Sequence, residues 1–234
     1  MAKSTLPVFY SASHTDKVSF DEANSRHIVQ VLRMSVGERV LVTDGKGKLL
    51  TVELTQANKK GAEAKVISVF DHPSPPVKTC IAISLVKNTS RFEWFLEKSA
   101  ELGISEIVPL LCERTEKQHF RLDRMRNILV SAMLQSQQSW LTLLYEPMSF
   151  SSCIESFSYK QKYIAHCQDG SETISISAIT PSNDTIILIG PEGDFTNEEI
   201  SRAFEAGYIE TKLGDNRLRT ETAGIVAASF LKIR

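Results

Sequence analysis

The stretch TIILIGPEGDFTNEEISRAFEAGYIETKLGDNRLRTETA occupies residues 185–223, and its pattern predicts a fold class. TIILIG (185–190) is a short apolar run of strand length that ends on glycine. Thr196-x-x-Glu199 has capping-box spacing, and the helix it opens runs through Ile200, Ala203 and Phe204 to Gly207. IETKLG (209–214) reads as the next strand, and a last helix covers roughly 221–232. Strands alternating with helices imply βαβ units and a mostly parallel α/β sheet.

The same alternation extends upstream. CIAISLV (80–86), IVPLL (107–111) and KYIAH (162–166) read as strands. Between the first two, Ser90-x-x-Glu93 predicts a capped helix with Phe92, Phe95, Leu96 and Ser99 on one face, ended by Gly103. Met125, Ile128, Leu129, Ala132 and Met133 trace a second helix face, while 140–160 is ambiguous. Before residue 73 the character changes to short strands and turns. VGERVLVTDGKGKLLTVEL (36–54) is a hairpin signal around Asp44-Gly45-Lys46-Gly47, and AKVISVF (64–70) is a further strand. One helix interrupts them, predicted from a capping box at Ser19-x-x-Glu22 and a periodic stretch through Ile28, Val31 and Leu32. The proline-rich run His72–Pro76 is the candidate linker, so two domains are expected, 1–72 and 77–234.

Composition narrows the function classes. Charged residues are 24% and hydrophobic residues 42% of the 234, the usage of an ordinary globular chain and not of a disordered or fibrous one. No apolar run approaches the ~20 residues that span a bilayer, and the N-terminus has no signal-peptide core, so a cytoplasmic protein without a membrane partner is expected. Cys80, Cys112, Cys153 and Cys167 form no CxxC pair; buried free thiols are expected, with no metal site. The net charge is −1, so a nucleic-acid partner would have to be held by local patches.

Two strand ends could carry chemistry, because open α/β sheets bind ligands at the carboxyl ends of their strands. The first is Gly190-Pro191-Glu192-Gly193-Asp194, which is either a plain tight turn before a helix or a place where backbone approaches a ligand. It is neither a P-loop nor a GxGxxG fingerprint. The second is Leu213–Ala223. There Arg217 and Arg219 precede a helix N-terminus, the unfavourable end of the helix dipole for a cation, which hints at an anionic partner.

The run IGPEGDFTNEEI followed by LGDNRLRTETA closely resembles the small-subunit ribosomal RNA methyltransferase E family, of the SPOUT class of knotted methyltransferases. LVKNTSRFEWFLEKSAELGISEIVPL resembles that family's first strand-helix-strand unit, and RHIVQVLRMSVGERVLVTDGKG resembles its N-terminal PUA-like barrel. The resemblance implies a PUA-like β-barrel followed by a SPOUT α/β domain with a deep C-terminal trefoil knot. It implies transfer of methyl from S-adenosylmethionine to N3 of a 16S rRNA uridine near the decoding centre, by a homodimer. The cofactor residues it implies are Leu188, Gly190, Pro191, Glu192, Gly193, Leu213, Gly214, Leu218, Arg219, Thr220 and Ala223. The chain departs from the family pattern at Asp194, where a second glycine is usual, at Gln137-Gln138, where an arginine is usual, and near the N-terminus, where Val8 stands in a run lacking the usual arginine.

Methylation at uracil N3 requires its proton to leave while negative charge develops on the flanking carbonyl oxygens. Arg219 could stabilise that charge and Glu221 could take the proton, with Glu192 the rival carboxylate. Either carboxylate could instead be structural: Glu221 in a salt bridge, Glu192 accepting backbone N–H bonds. RNA contacts are expected from the barrel, whose residues through Asp71 carry ten Lys+Arg against eight Asp+Glu. The candidates are Arg26, His27, Arg33, Arg39, Lys46 and Lys48, joined by Lys87 and Arg91 after the first strand of the second domain. Arg114, Lys117, Arg121, Arg124 and Arg126 form a further basic cluster, and Trp140 could stack on a base or pack in the protein. Ile225, Val226, Ser229 and Phe230 of the last helix are the expected dimer contacts. The alternative of a different class is a non-catalytic RNA-binding factor with a degenerate knot.

Overall fold

The computed structural model describes residues 6–12, 15–75, 78–116, 119–167, 174–182 and 184–232. Lys117 and Pro76 lie outside the described residues. The chain forms two compact units, residues 1–74 with 133–141 and residues 75–132 with 142–234.

The first unit is built on a five-stranded sheet. Its strands are β1 (Val8–Tyr10), β2 (Lys17–Ser19), β3 (Arg39–Thr43), β4 (Lys48–Gln56) and β5 (Glu63–Asp71), in the order β1-β3-β4-β5-β2. The hairpin expected at 36–54 is present, with Val42 opposite Leu50 and Thr43 opposite Leu49. Its turn is held by Asp44, whose Oδ1 accepts from the backbone N–H groups of Lys46 at 2.7 Å and Lys48 at 3.1 Å. Alternation sends Val40 and Val42 from β3, and Leu50, Val52 and Leu54 from β4, into one core with Phe9, Phe20 and Ile28. Burial of such side chains contributes about 1.5–3 kcal/mol each.

The helix of this unit departs from expectation. Ser19 does not cap it, because Ser19 is spent in the ladder of β2 opposite Glu63. Asp21 caps α1 (Glu22–Arg26), accepting from the N–H of Asn24 at 2.8 Å. A wider π turn follows over His27–Val31, with Leu32 N–H donating to His27 O. The change of pitch swings Val31 and Leu32 outward, so of the three apolar positions only Ile28 is buried.

Residues 133–141 belong to this first unit, although the sequence reading places them in the second. Gly47 N–H donates to Ser139 O and Leu141 N–H donates to Gly45 O, both at 2.9 Å. The Trp140 ring lies on Gly47 so closely that a Cβ there would sit 2.5 Å from it. Trp140 therefore packs on the hairpin turn.

The second unit contains β6 (Lys78–Ser84), α2 (Thr89–Glu101), β7 (Glu106–Leu111), α3 (Leu122–Gln135) up to Ala132, β8 (Leu143–Leu144), β9 (Met148–Ser149), α4 (Phe150–Ser156), β10 (Gln161–Ala165), β11 (Ile174–Ser175), β12 (Asp184–Ile189), α5 (Asn197–Glu205), β13 (Ile209–Lys212) and α6 (Thr220–Lys232). The sheet runs β11-β13-β10-β12-β6-β7-β8, with β9 also on β7, and its pairings are parallel. Thr79–Ser84 and Thr185–Ile189 are buried throughout, as strands covered on both faces must be. The ambiguous 140–160 resolves into two two-residue strands and α4, too short to leave a period in the sequence.

Two corrections concern this unit. Asn88, one position before α2, caps it by accepting from Ser90 N–H at 3.0 Å; Ser90 is already helical. Cys167 is exposed, whereas Cys80, Cys112 and Cys153 are buried free thiols. The helix faces are as read: Phe92, Phe95, Leu96 and Ser99 are buried on α2, and the capping box of Thr196 and Glu199 is formed in both directions.

Candidate active site

The parallel register brings the carboxyl ends of β10, β12, β6 and β7 side by side, with Ala165 opposite Ile189, Ile189 opposite Ile83 and Ile83 opposite Pro109. The turn after β12, Gly190–Phe195, therefore lies between the loops that follow its neighbours. Each of those loops holds it. Glu192 Oε1 accepts from Lys87 N–H at 3.0 Å, in the loop after β6. Arg114, in the loop after β7, donates from Nη1 to Gly193 O at 2.7 Å. Asp194 Oδ2 accepts from Cys167 N–H at 2.9 Å, in the loop after β10.

The two glycine-bearing strand ends also meet. Thr220, the first residue of α6, donates its hydroxyl to Gly190 O at 3.0 Å in a buried bond. A Cβ at Gly190 would crowd the fully buried Phe195 ring, lying 3.1 Å from it. Asp194 has φ 63, in the left-handed region where glycine is cheapest. Its own chemistry sustains that conformation: Oδ1 accepts from Phe195 N–H at 2.8 Å, and its N–H donates to Pro191 O at 2.9 Å. The departure from the usual glycine is thus accommodated by an aspartate that tolerates this region and uses it.

The expected site residues fall into distinct settings. Pro191, Thr220 and Glu221 are buried, Leu213, Leu218 and Ala223 are half-buried, and Glu192, Gly193, Gly214 and Arg219 are exposed. Leu188 is wholly buried in the sheet core with Cys80, Val108 and Ile164. Gly214 has φ 149, and a Cβ there would meet nothing within 4 Å, so its backbone is open to approach. Open glycine backbone at 214, flanked by half-buried Leu213 and Leu218, with exposed Gly193 beside the Arg114 stem, fits a ligand with an apolar ring and hydrogen-bonding edges. Among the described residues, no group of three or more His, Cys, Asp or Glu could hold a metal ion, and no helix is long and apolar enough to cross a membrane.

The charged groups are arranged unequally. Glu221 forms an ion pair with Arg91, Oε1 to Nε at 3.6 Å, so a residue read as an RNA contact meets one read as catalytic. Arg217 and Arg219 are exposed and make no ion pair among the described residues. Arg219 O accepts the first helical bond of α6, from Ala223 N–H, which sets the side chain at the helix N-terminus with its charge unneutralised. Lys87 pairs with Glu116 at 2.9 Å, and that contact raises its pKa. Burial, then the Asp194 carboxylate, pushes the Cys167 thiol up, while Arg217 opposes them.

In the first unit, Arg33 and Lys46 are exposed, Arg26 pairs with Glu22, Arg39 with Glu53 and Lys48 with Asp71, while the His27 ring meets Phe9 edge-on at 5.9 Å. In the second basic cluster Arg124 is committed to Glu93. Sequence reasoning placed Arg114 in a basic cluster considered for RNA and did not see its bond to the turn, and it missed Gly224, where a Cβ would lie 2.6 Å from the Phe95 ring and 2.8 Å from Ile83. A glycine in the middle of a helix was the available signal for the latter.

A parallel α/β sheet with two glycine-bearing turns at its carboxyl edge, joined in one chain to a small β unit, is the frame against which the comparisons stand. The family profile described as "RNA methyltransferase domain" matches residues 73–232 and the one described as "RNA methyltransferase PUA domain" matches 20–67; the chain belongs to this RNA methyltransferase family. The first unit is accordingly a PUA-like barrel. A crystal structure of a "probable rRNA-methyltransferase" from Porphyromonas gingivalis is 32% identical with a TM-score of 0.90, covering 97% of this chain and 99% of that one. The ribosomal RNA small subunit methyltransferase E of Neisseria gonorrhoeae, solved bound to S-adenosyl methionine, is 30% identical with a TM-score of 0.84, covering 96% and 95%. The ribosomal RNA small subunit methyltransferase E of Bacillus subtilis is 27% identical over 219 residues, covering 88% of this chain and 85% of the relative.

Proposed function

We propose that this protein methylates N3 of a uridine in the RNA of the small ribosomal subunit, using S-adenosylmethionine. The observation that carries the reading is the buried bond from Thr220 to Gly190 O, which joins the two ligand-facing turns in a chain of the RNA methyltransferase family. The names of the relatives supply the RNA and the cofactor. Gly190–Gly193, Leu213, Gly214, Leu218 and Thr220 would hold the cofactor, which supplies an electrophilic methyl group. The adenosine would lie along the open glycine backbone between the two leucines.

The residues of the chain do the rest. Arg219, uncommitted at the helix N-terminus, donates toward the uracil carbonyl oxygens as charge develops on them. The N3 proton leaves to a carboxylate. Glu192 is exposed at the mouth of the site and Glu221 is buried against Arg91, so Glu192 is the more accessible acceptor and Glu221 the more constrained one. Arg33 and Lys46 on the barrel contact phosphate. The face Ile225, Val226, Ser229 and Phe230 of α6, half-buried in the single chain, would be the contact of a homodimer, and Leu213, Gly214 and Leu218–Ala223 would belong to the loop of the knot.

Mass mapping tests the assignment. Small subunits from a strain lacking the gene should gain one methyl on a uracil base when incubated with the purified protein and S-adenosylmethionine. A rival RNA-binding factor without catalysis would bind no cofactor and transfer nothing. Methyl found on ribose, or on large-subunit RNA only, would overturn the proposal.

A further inference from the structure

We infer that Arg114 is a positioning residue for the cofactor turn, an inference that rests on reading Gly190–Phe195 as that turn. The three residues Glu113, Arg114 and Thr115 each bind a different neighbour. Glu113 N–H donates to Glu199 Oε1 at 2.9 Å, and Glu199 is the buried capping-box residue of α5. Thr115 Oγ1 meets Ser84 Oγ at 2.8 Å and accepts from Cys112 N–H at 2.9 Å, both buried. The backbone that carries Arg114 is thereby fixed on both sides of it.

From that base Arg114 reaches across the turn. Its Nη1 donates to Gly193 O at 2.7 Å and lies 3.4 Å from Phe195 O. Its aliphatic stem covers Gly193, where a Cβ would sit 3.4 Å from Cδ. A charge-assisted donor shared by two carbonyls is stronger than a neutral one. Its consequence lies in the peptide joining Gly193 to Asp194. The carbonyl of that peptide is held by Arg114 and its N–H by Pro191 O at 2.9 Å, so the plane is locked from both edges. The residue that follows the plane, Asp194, is in the left-handed region that side-chain-bearing residues disfavour. Remove Arg114 and the peptide plane keeps only its bond to Pro191 O, leaving that bond and the Asp194 side-chain bonds to the N–H groups of Phe195 and Cys167 to hold the conformation. The backbone around Gly193, which must present itself to the cofactor, would then sample other orientations.

The test uses the full-length protein and S-adenosylmethionine. Loss of one charge-assisted bond predicts that Arg114→Ala binds the cofactor about 10- to 100-fold more weakly. Arg114→Lys should recover part of this, since one donor can still reach a carbonyl but the planar fork is gone. At saturating cofactor, single-turnover methylation should return close to the wild-type rate, because the residue acts on binding. Amide exchange should rise at Glu192–Phe195 and stay unchanged in the sheet. Cofactor affinity within twofold of wild type in a folded Arg114→Ala protein would overturn the inference, as would a loss of protection spread over the whole second unit. Gly193→Val separates the layers. If it abolishes cofactor binding and Arg114→Ala does not, only the positioning role falls. If neither changes affinity, the assignment of the turn falls with it.

Discussion

In the proposed reaction Arg219 is the donor that meets the charge developing on the uracil. It is an exposed cation at a helix N-terminus, where the dipole opposes it and no carboxylate relieves it among the described residues. A site that tolerates this cost is arranged for negative charge arriving from outside. Arg219→Ala should slow single-turnover methylation by about 10²–10³, the usual loss for one preorganised donor. Cofactor affinity should change little, since the turn is held by Thr220 and Arg114 and not by Arg219. Full turnover in a stable Arg219→Ala protein would move the assignment to Arg217 or Glu192. Cysteine reactivity offers a second check at this scale. Only Cys167 is exposed, and burial raises the other thiols, Cys153 to about 12. Alkylation by iodoacetamide should therefore label Cys167 first. The thiolate is the reactive form, so labelling should accelerate as pH rises. Because the Asp194 carboxylate helps hold the Cys167 pKa up, Asp194→Asn should shift the labelling profile to lower pH. Uniform labelling of all four cysteines in the native protein would contradict the burial pattern.

At the level of elements, α6 is placed by a glycine. Ala at an ordinary mid-helix glycine gains about 1 kcal/mol from propensity. At Gly224 that gain is outweighed. The added carbon would stand 2.6 Å from Phe95 on α2 and 2.8 Å from Ile83 on β6, both fully buried and unable to swing aside. Overpacking of this kind costs about 1–3 kcal/mol. Gly224→Ala should thus lower the midpoint of denaturant unfolding and, by tilting α6, weaken cofactor binding through Thr220. An unchanged or raised midpoint would show that α2 and α6 can separate without penalty. Caps were less legible than faces. Phe92, Phe95, Leu96 and Ser99 were readable because their spacing repeats. Ser19 and Ser90 were misread as caps because Asp21 and Asn88, also good caps, stand two residues away. Which oxygen caps depends on where the preceding strand ends, and that is a matter of pairing with Glu63 in one case and of the chain leaving β6 in the other.

For the molecule as a whole, the exposed side of α6 sets the expectation for assembly. Ile225, Val226 and Phe230 remain half-exposed on a helix whose other face is buried against the sheet. In the proposed homodimer a second copy would cover this apolar face. Light scattering at micromolar concentration should report twice the 26.1 kDa chain mass, and Phe230→Glu should shift the protein toward monomer. A wild-type monomer at that concentration would remove the dimer from the mechanism.

Periodicity, glycine placement and turn chemistry determine the larger features from the sequence alone. Residues 185–223 read as strand, turn, capped helix, strand and helix, and 36–54 as a hairpin, because apolar runs, a capping box and turn glycines are signals carried within the segment, even where the strands pair with distant ones. The two motif segments were identifiable as a pair, but their meeting was not. Thr220 is thirty positions from Gly190 and Arg114 seventy-nine from Gly193, and those bonds exist only because parallel pairing sets β7, β6, β12 and β10 in register. The same holds for Met133–Leu141, which joins the barrel unit through bonds to Gly45 and Gly47 that no local pattern encodes. Local signals specify elements because backbone preferences and amphipathic spacing act over one or two turns; side-chain partners across a sheet are chosen by the register of distant strands.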